Sequence, residues 1–163
     1  MMKQLITACA LLAATLTATA CSPADKENAQ QQTNKTQNNN DMEARTITLT
    51  TEGGATFTAT LADNSSARAL AEMLAGGDIA IDMEDYGDME KVGPIGRSLP
   101  RNDTPTTTGP GDLILYQGKY FVIYYGTNSW TFTPLGRIEG ASGSELLKAL
   151  GRGDVKVTLS LKK

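Results

Sequence analysis

Strict two-residue alternation of apolar side chains with threonine constrains this chain more than any other feature. Ile47 and Leu49 alternate with Thr46, Thr48 and Thr50, and beyond Glu52-Gly53-Gly54 the residues Phe57, Ala59 and Leu61 alternate with Thr56, Thr58 and Thr60. Successive side chains of an extended strand point to opposite faces, so both segments bury one face and expose the other. With the glycine pair as a turn, they predict a hairpin. Val155, Val157, Leu159 and Leu161 repeat the alternation in a last strand. Leu113 to Tyr116 and Tyr120 to Tyr125 are apolar runs around Gln117-Gly118-Lys119, and they predict a second hairpin of central strands. Trp130, Phe132, Leu135 and Ile138 carry the β pattern on across Pro134 and Gly136.

Two helices interrupt the strands. Asp63 or Asn64 caps one in which Ala67, Leu70, Ala71 and Leu74 recur at helical spacing, and Gly76-Gly77 ends it. Ser142-Gly143-Ser144-Glu145 is a capping box for a second, running through Leu146, Leu147 and Leu150. Ile79-Ala80-Ile81 reads as a short strand leading into an acidic stretch. The segment from Val92 to Pro110, with Pro94, Pro100, Pro105 and Pro110, reads as a long surface loop. Seven or eight strands with two short helices predict a mainly β fold, a small closed barrel with helices over its ends, in one domain over residues 42–163.

The amino terminus has a different character. Lys3 precedes an uncharged segment from Leu5 to Ala20, rich in Ala, Leu and Thr, followed at once by Cys21. At 16 residues it is shorter than the ~20 that a membrane-spanning helix requires, and its threonines dilute it further. It reads as a signal peptide over 1–20. Ala18-Thr19-Ala20-Cys21 resembles a bacterial lipobox, with Ala18 where leucine is usual, and the resemblance implies lipidation of Cys21 and anchoring in a bilayer of the bacterial cell envelope. Ser22 after the cysteine is similar to the signal for outer-membrane sorting. Residues 22–40 include Gln30-Gln31-Gln32 and Asn38-Asn39-Asn40 and no large apolar side chain. Too little surface can be buried there to offset ordering entropy, so 21–41 reads as a flexible tether that reaches roughly 20 to 25 Å.

Composition excludes several chemistries. The chain has no histidine, and its two cysteines both fall within the first 21 positions. The usual Ser-His-Asp and Cys-His nucleophiles and histidine metal sites are therefore excluded. From Asp41 onward there are 16 acidic and 12 basic residues, which argues against a nucleic-acid partner. Gly109-Pro110-Gly111 and Gly118-Lys119 lack the spacing of a phosphate loop, and no cofactor motif is present. The acidic stretch Asp78, Asp82, Glu84, Asp85, Asp88, Glu90 partly mimics a calcium loop but places Tyr86 and Gly93 at ligand positions. The simplest expectation is a solvated loop with Glu90 paired to Lys91 or an arginine, and no metal.

The order of Ile79-Ala80-Ile81-Asp82-Met83, Glu90-Lys91, Leu99-Pro100, Gly111-Asp112-Leu113, Ile123-Tyr124-Tyr125 and Leu135-Gly136-Arg137-Ile138 resembles the bacterial cyclophilin-like fold family over residues 44–163. The resemblance implies a closed β-barrel with two helices, related in shape to peptidyl-prolyl isomerases, and an association with flavodoxin-like proteins. It does not carry activity, because the Phe-His-Arg run of true cyclophilins is missing. A prolyl isomerase needs an apolar pocket and a donor or cation for the twisted amide. Arg97, Arg101 and Arg137 are the candidate cations, and Phe121, Trp130 and Phe132 the candidate pocket aromatics. Asp85, Tyr86 and Glu90 are candidate binding residues at the barrel mouth. The expectation is a membrane-anchored, non-catalytic module that binds a peptide or small molecule with its mouth and the Val92 to Pro110 loop. The alternative is a divergent isomerase acting on envelope proteins.

Overall fold

A computed structural model describes residues 45–162. The expected signal peptide, Cys21 and the tether lie outside the described residues. The elements follow in the order β1 (Thr46–Thr51), β2 (Thr56–Leu61), α1 (Ser65–Ala75), β3 (Ile79–Tyr86), β4 (Glu90–Pro94), β5 (Thr104–Thr108), β6 (Asp112–Tyr116), β7 (Tyr120–Tyr124), β8 (Asn128–Ile138), α2 (Gly143–Leu150) and β9 (Val155–Leu161). The strands pair antiparallel in the order β2-β1-β9-β3-β4-β7-β6-β8-β5, and β2 also pairs with β8. That pairing closes eight strands into a barrel and leaves β5 outside it, bonded to β8 alone. The fold is the expected mainly β barrel with two helices, plus this outer strand.

The alternating residues behave as their period requires. Ile47, Leu49, Ala59, Leu61, Val157 and Leu159 all face the interior and are buried. Register places Leu49 opposite both Phe57 and Leu159, so β1 lies between β2 and the last strand of the chain. The helices add Leu70, Leu74, Leu146 and Leu150 to the same core. Asn64, not Asp63, caps α1: its Oδ1 accepts from the amide of Ala67 at 2.9 Å, while its Nδ2 donates to the carbonyl of Pro134 in β8 at 2.7 Å. Ser142 and Glu145 form the expected capping box at α2.

Two segments depart from the sequence expectation. The acidic stretch is not a loop, because β3 continues through it to Tyr86, turning Ile81 and Met83 inward and Asp82 and Glu84 outward. The long loop is also shorter than expected: Val92 and Pro94 belong to β4, Thr104–Thr108 forms β5, and the connection proper is 95–103. A threonine-rich strand containing Pro105 has little apolar signature, and proline, lacking an amide proton, is tolerated only where a strand edge is open. The connection is held down. Ile95 and Leu99 are buried in the core, Ser66 Oγ donates to the carbonyl of Pro100 at 2.6 Å, and Asn102 Nδ2 donates to the hydroxyls of Ser65 and Ser66 at 2.8 and 2.7 Å.

Barrel closure depends on a residue with no side chain. Leu61 of β2 and Leu113 of β6 both register against Gly136 of β8. A β-carbon there would fall against the carbonyl oxygen of Thr60 and within 2.9 Å of the Leu61 α-carbon, both rigid backbone. Between Leu113 and Ile114 the β6–β8 register slips by one residue, leaving Leu135 as the extra residue of a bulge. Bulges bend a strand and sharpen its twist. Beyond this one the amino-terminal half of β8 runs on past the barrel to pair with β5. Gly136→Ala is expected to push β2 and β8 apart and lower stability by about 2 to 3 kcal/mol, measured by urea denaturation with circular dichroism.

Candidate functional site

Strands β3, β4, β7 and β6 lie side by side, and their outward side chains form cross-strand rows. Glu84 pairs with Val92 and Val92 with Val122; Tyr86 pairs with Glu90 and Glu90 with Tyr124; Pro94 pairs with Tyr120 and Tyr120 with Tyr116. These rows are the floor of a groove of about 610 Å³ on the outer wall of the barrel. Its side wall comes from the part of β8 beyond the bulge, which contributes Asn128, Trp130 and Phe132. Phe132 meets the ring of Tyr124 at 5.9 Å and that of Tyr116 at 6.3 Å, tilted and edge-on respectively, the arrangements that aromatic quadrupoles favour. Ile114, Val122, Tyr124 and Phe132 make a second, smaller apolar cluster outside the barrel.

Neighbouring residues of β4 face opposite ways and have opposite electrostatic fates. Lys91 points into the barrel and has no exposed surface. Its Nζ donates to Asp85 Oδ2 and to the carbonyl of Gly153, each at 2.6 Å, and sits 5.9 Å from the ring centre of Tyr125. The Tyr125 hydroxyl donates to the other oxygen of Asp85 at 2.8 Å. Burial works against ionisation of Asp85, but the Lys91 ammonium and Tyr125 outweigh it and hold the carboxyl below the usual carboxylate range. Glu90 points outward, is only 8% exposed, and has one oxygen, Oε2, that is enclosed and has no hydrogen-bond partner. Burial pushes its carboxyl up, with the Tyr124 hydroxyl opposing the shift. Burial first, and then the facing Glu90, push the Tyr124 phenol far up, so it stays protonated. Asn128 Nδ2 donates to the same hydroxyl at 3.3 Å.

The sequence candidates are divided by this geometry. Tyr86 and Glu90 line the groove, which lies on the side wall of the barrel and not at its mouth. Asp85 borders it, but its carboxylate is committed to Lys91 and Tyr125. The expected pairing of Glu90 with Lys91 or an arginine does not form, because strand alternation sends Lys91 inside. None of Arg97, Arg101 and Arg137 is among the lining residues. Arg97 is exposed in the 95–103 connection, Arg101 pairs with Asp103, and Arg137 pairs with Asp112 and donates to the carbonyl of Pro110 at 3.1 Å. Trp130 and Phe132 do line the groove, whereas Phe121 is in the barrel core.

Tyr116, Tyr120 and Tyr124 belong to the groove and were not singled out from sequence. Their signal was present: a strand run apolar on both faces requires a cover on each. Asp82, Glu84, Asp85 and Glu90 are among the lining residues, with the Asp85 carboxylate turned inward to Lys91, and among the described residues no lysine or arginine lines the groove. Among the described residues no three acidic side chains converge on a common metal position. The lining can offer aromatic faces, hydroxyls and negative charge.

Comparisons place this architecture. The solution structure of a hypothetical protein from Archaeoglobus fulgidus superposes with a TM-score of 0.54 at 15% identity, covering 72% of this chain and 94% of that one. A likeness at that identity speaks for the fold alone. No curated protein matches the chain. The model of the Cyclophilin-like family matches residues 49–160, from the first barrel strand to the last. The chain belongs to the cyclophilin-like family.

Proposed function

We propose that the chain is a lipid-anchored protein of the bacterial cell envelope, attached through Cys21 to the outer membrane, whose barrel binds a peptide or small molecule without transforming it. The binding half of this reading is carried by the groove, where an aromatic wall and floor surround a nearly enclosed carboxylate that lacks a full set of partners. Ligand sites are typically concave and mostly apolar, with a few converging polar groups. The anchoring half rests on Ala18-Thr19-Ala20-Cys21 after an uncharged segment.

What the groove offers supports binding without turnover. Stabilising a twisted prolyl amide takes a cation or strong donor placed over it. The lining carries carboxylates, phenols, an indole and the amide of Asn128, and the three candidate arginines lie elsewhere. In a proline-peptide isomerisation assay the full-length protein is expected to leave the uncatalysed rate unchanged. Catalysis that disappears in Arg97→Ala, Arg101→Ala or Arg137→Ala would establish the isomerase alternative instead.

A group kept for binding is often held at a cost to the fold, and Glu90 has that character. Its raised pKa means that the ionised form is disfavoured by folding. The penalty is absent below the ordinary carboxylate range and complete once the pH exceeds the raised value. Glu90→Gln is therefore expected to stabilise the protein by about 1 kcal/mol at neutral pH and by nothing below about pH 4, checked by thermal melts across that range. For the anchor, Cys21→Ala is expected to abolish labelling by a radioactive fatty acid and release the protein from membranes. Undiminished labelling would refute it.

A further inference from the structure

We infer that the groove selects organic cations, seating a positively charged nitrogen against Glu90 with aromatic faces around it. The inference rests on the groove being the binding site and adds the class of ligand. Charge accounting supports it. Of the four acidic lining residues, Asp85 is neutralised from inside the barrel by Lys91, and Asp82 has Lys156 at 3.3 Å on the exposed rim. Among the described residues Glu84 and Glu90 have no ion-pair partner, and no lysine or arginine lines the groove.

The chemistry of Glu90 narrows the class further. It is more than nine-tenths buried, and Oε2 lacks any donor. A neutral apolar ligand would enclose Glu90 further and leave that oxygen unsatisfied, a cost that buried polar groups do not escape. An anion would add like charge to a site already holding two uncompensated carboxylates. A protonated amine, a guanidinium or a quaternary ammonium offsets the charge. Tyr86 and Trp130, 67% and 66% exposed, and the half-exposed rings of Tyr116 and Tyr120 offer faces to a cation and to its apolar body. Such faces attract cations through their quadrupole, most strongly where water is excluded. The groove's volume suits a small organic cation or one basic side chain of a peptide.

Trp130 is the single tryptophan of the chain and reports on the groove directly. Full-length protein in detergent is titrated with phenethylammonium and its neutral counterpart 2-phenylethanol, and with end-blocked tripeptides carrying lysine or acetyl-lysine, following Trp130 emission. The charged member of each pair is expected to bind about tenfold more tightly, and Glu90→Gln to erase that preference. Glu84→Gln, on the exposed face of β3, is expected to weaken it in part and guards against a folding defect at position 90. Tighter binding of the lysyl peptide than of the free amine would identify a peptide side chain as the source of the cation, and the reverse order a free amine. Both support the inference. Saturable binding with no preference for charge, or a preference surviving both substitutions, would overturn the inference and leave the groove reading standing. Silence from every probe would overturn it too. The groove reading itself fails if a ligand found by thermal shift binds without disturbing Trp130 or losing affinity in Trp130→Phe.

Discussion

The architecture depends on β8 being longer than the barrel needs. Its carboxy-terminal half closes the barrel against β2 and β6, where Gly136 lets three backbones come close together. The bulge at Leu135 then changes its course, and its amino-terminal half leaves the barrel with β5 as its only partner. One continuous strand thus supplies the last stave of a closed core and the wall of an external groove. Floor and wall are thereby linked: the floor is barrel sheet, and the wall is the continuation of one of its strands. The 95–103 connection reinforces the wall from behind. The amide of Asn102 donates to Thr133 Oγ1 at 2.9 Å, while Ile95 and Leu99 are sunk in the core.

Strand alternation also distributes the charges. Lys91 and Glu90 are adjacent in sequence and lie on opposite faces of β4, so they cannot neutralise one another. The inner charge finds a carboxylate, a carbonyl and an aromatic ring. A buried pair of this kind contributes little net stability relative to an apolar substitute, but losing one partner is costly, so Asp85 and Lys91 fix the local geometry together. The outer charge is left partly unsatisfied beside the aromatic cluster. The contrast separates a structural ion pair from a group available to a ligand, a distinction that composition alone does not make.

Much of the fold was legible in the sequence because period-two alternation and capping chemistry act locally. The threonine-flanked hairpin, the last strand, the Gln117-Gly118-Lys119 hairpin and the Ser142-Glu145 box all appear where the residues place them. β5 was illegible because Thr104–Thr108 owes its strand conformation to pairing with β8, a tertiary effect that overrides the weak signature of threonine and proline. The outward half of β3 was illegible because charge masks its period: Asp82 and Glu84 alternate with Ile81 and Met83. Tyr86, Glu90, Trp130 and Phe132 could be picked from sequence. Which of the acids and arginines share a surface depends on cross-strand register, and register is set by pairing between segments distant in the chain.

The position of β9 has a kinetic consequence. It follows the other barrel strands in sequence yet lies between β1 and β3, with Ile47 against Leu161 and Ile81 against Val157. β1 and β3 therefore hold two unsatisfied sheet edges until β9 is in place, and the barrel cannot close by adding strands in sequence order. Pairings so distant in sequence slow folding and prolong exposure of unpaired strands.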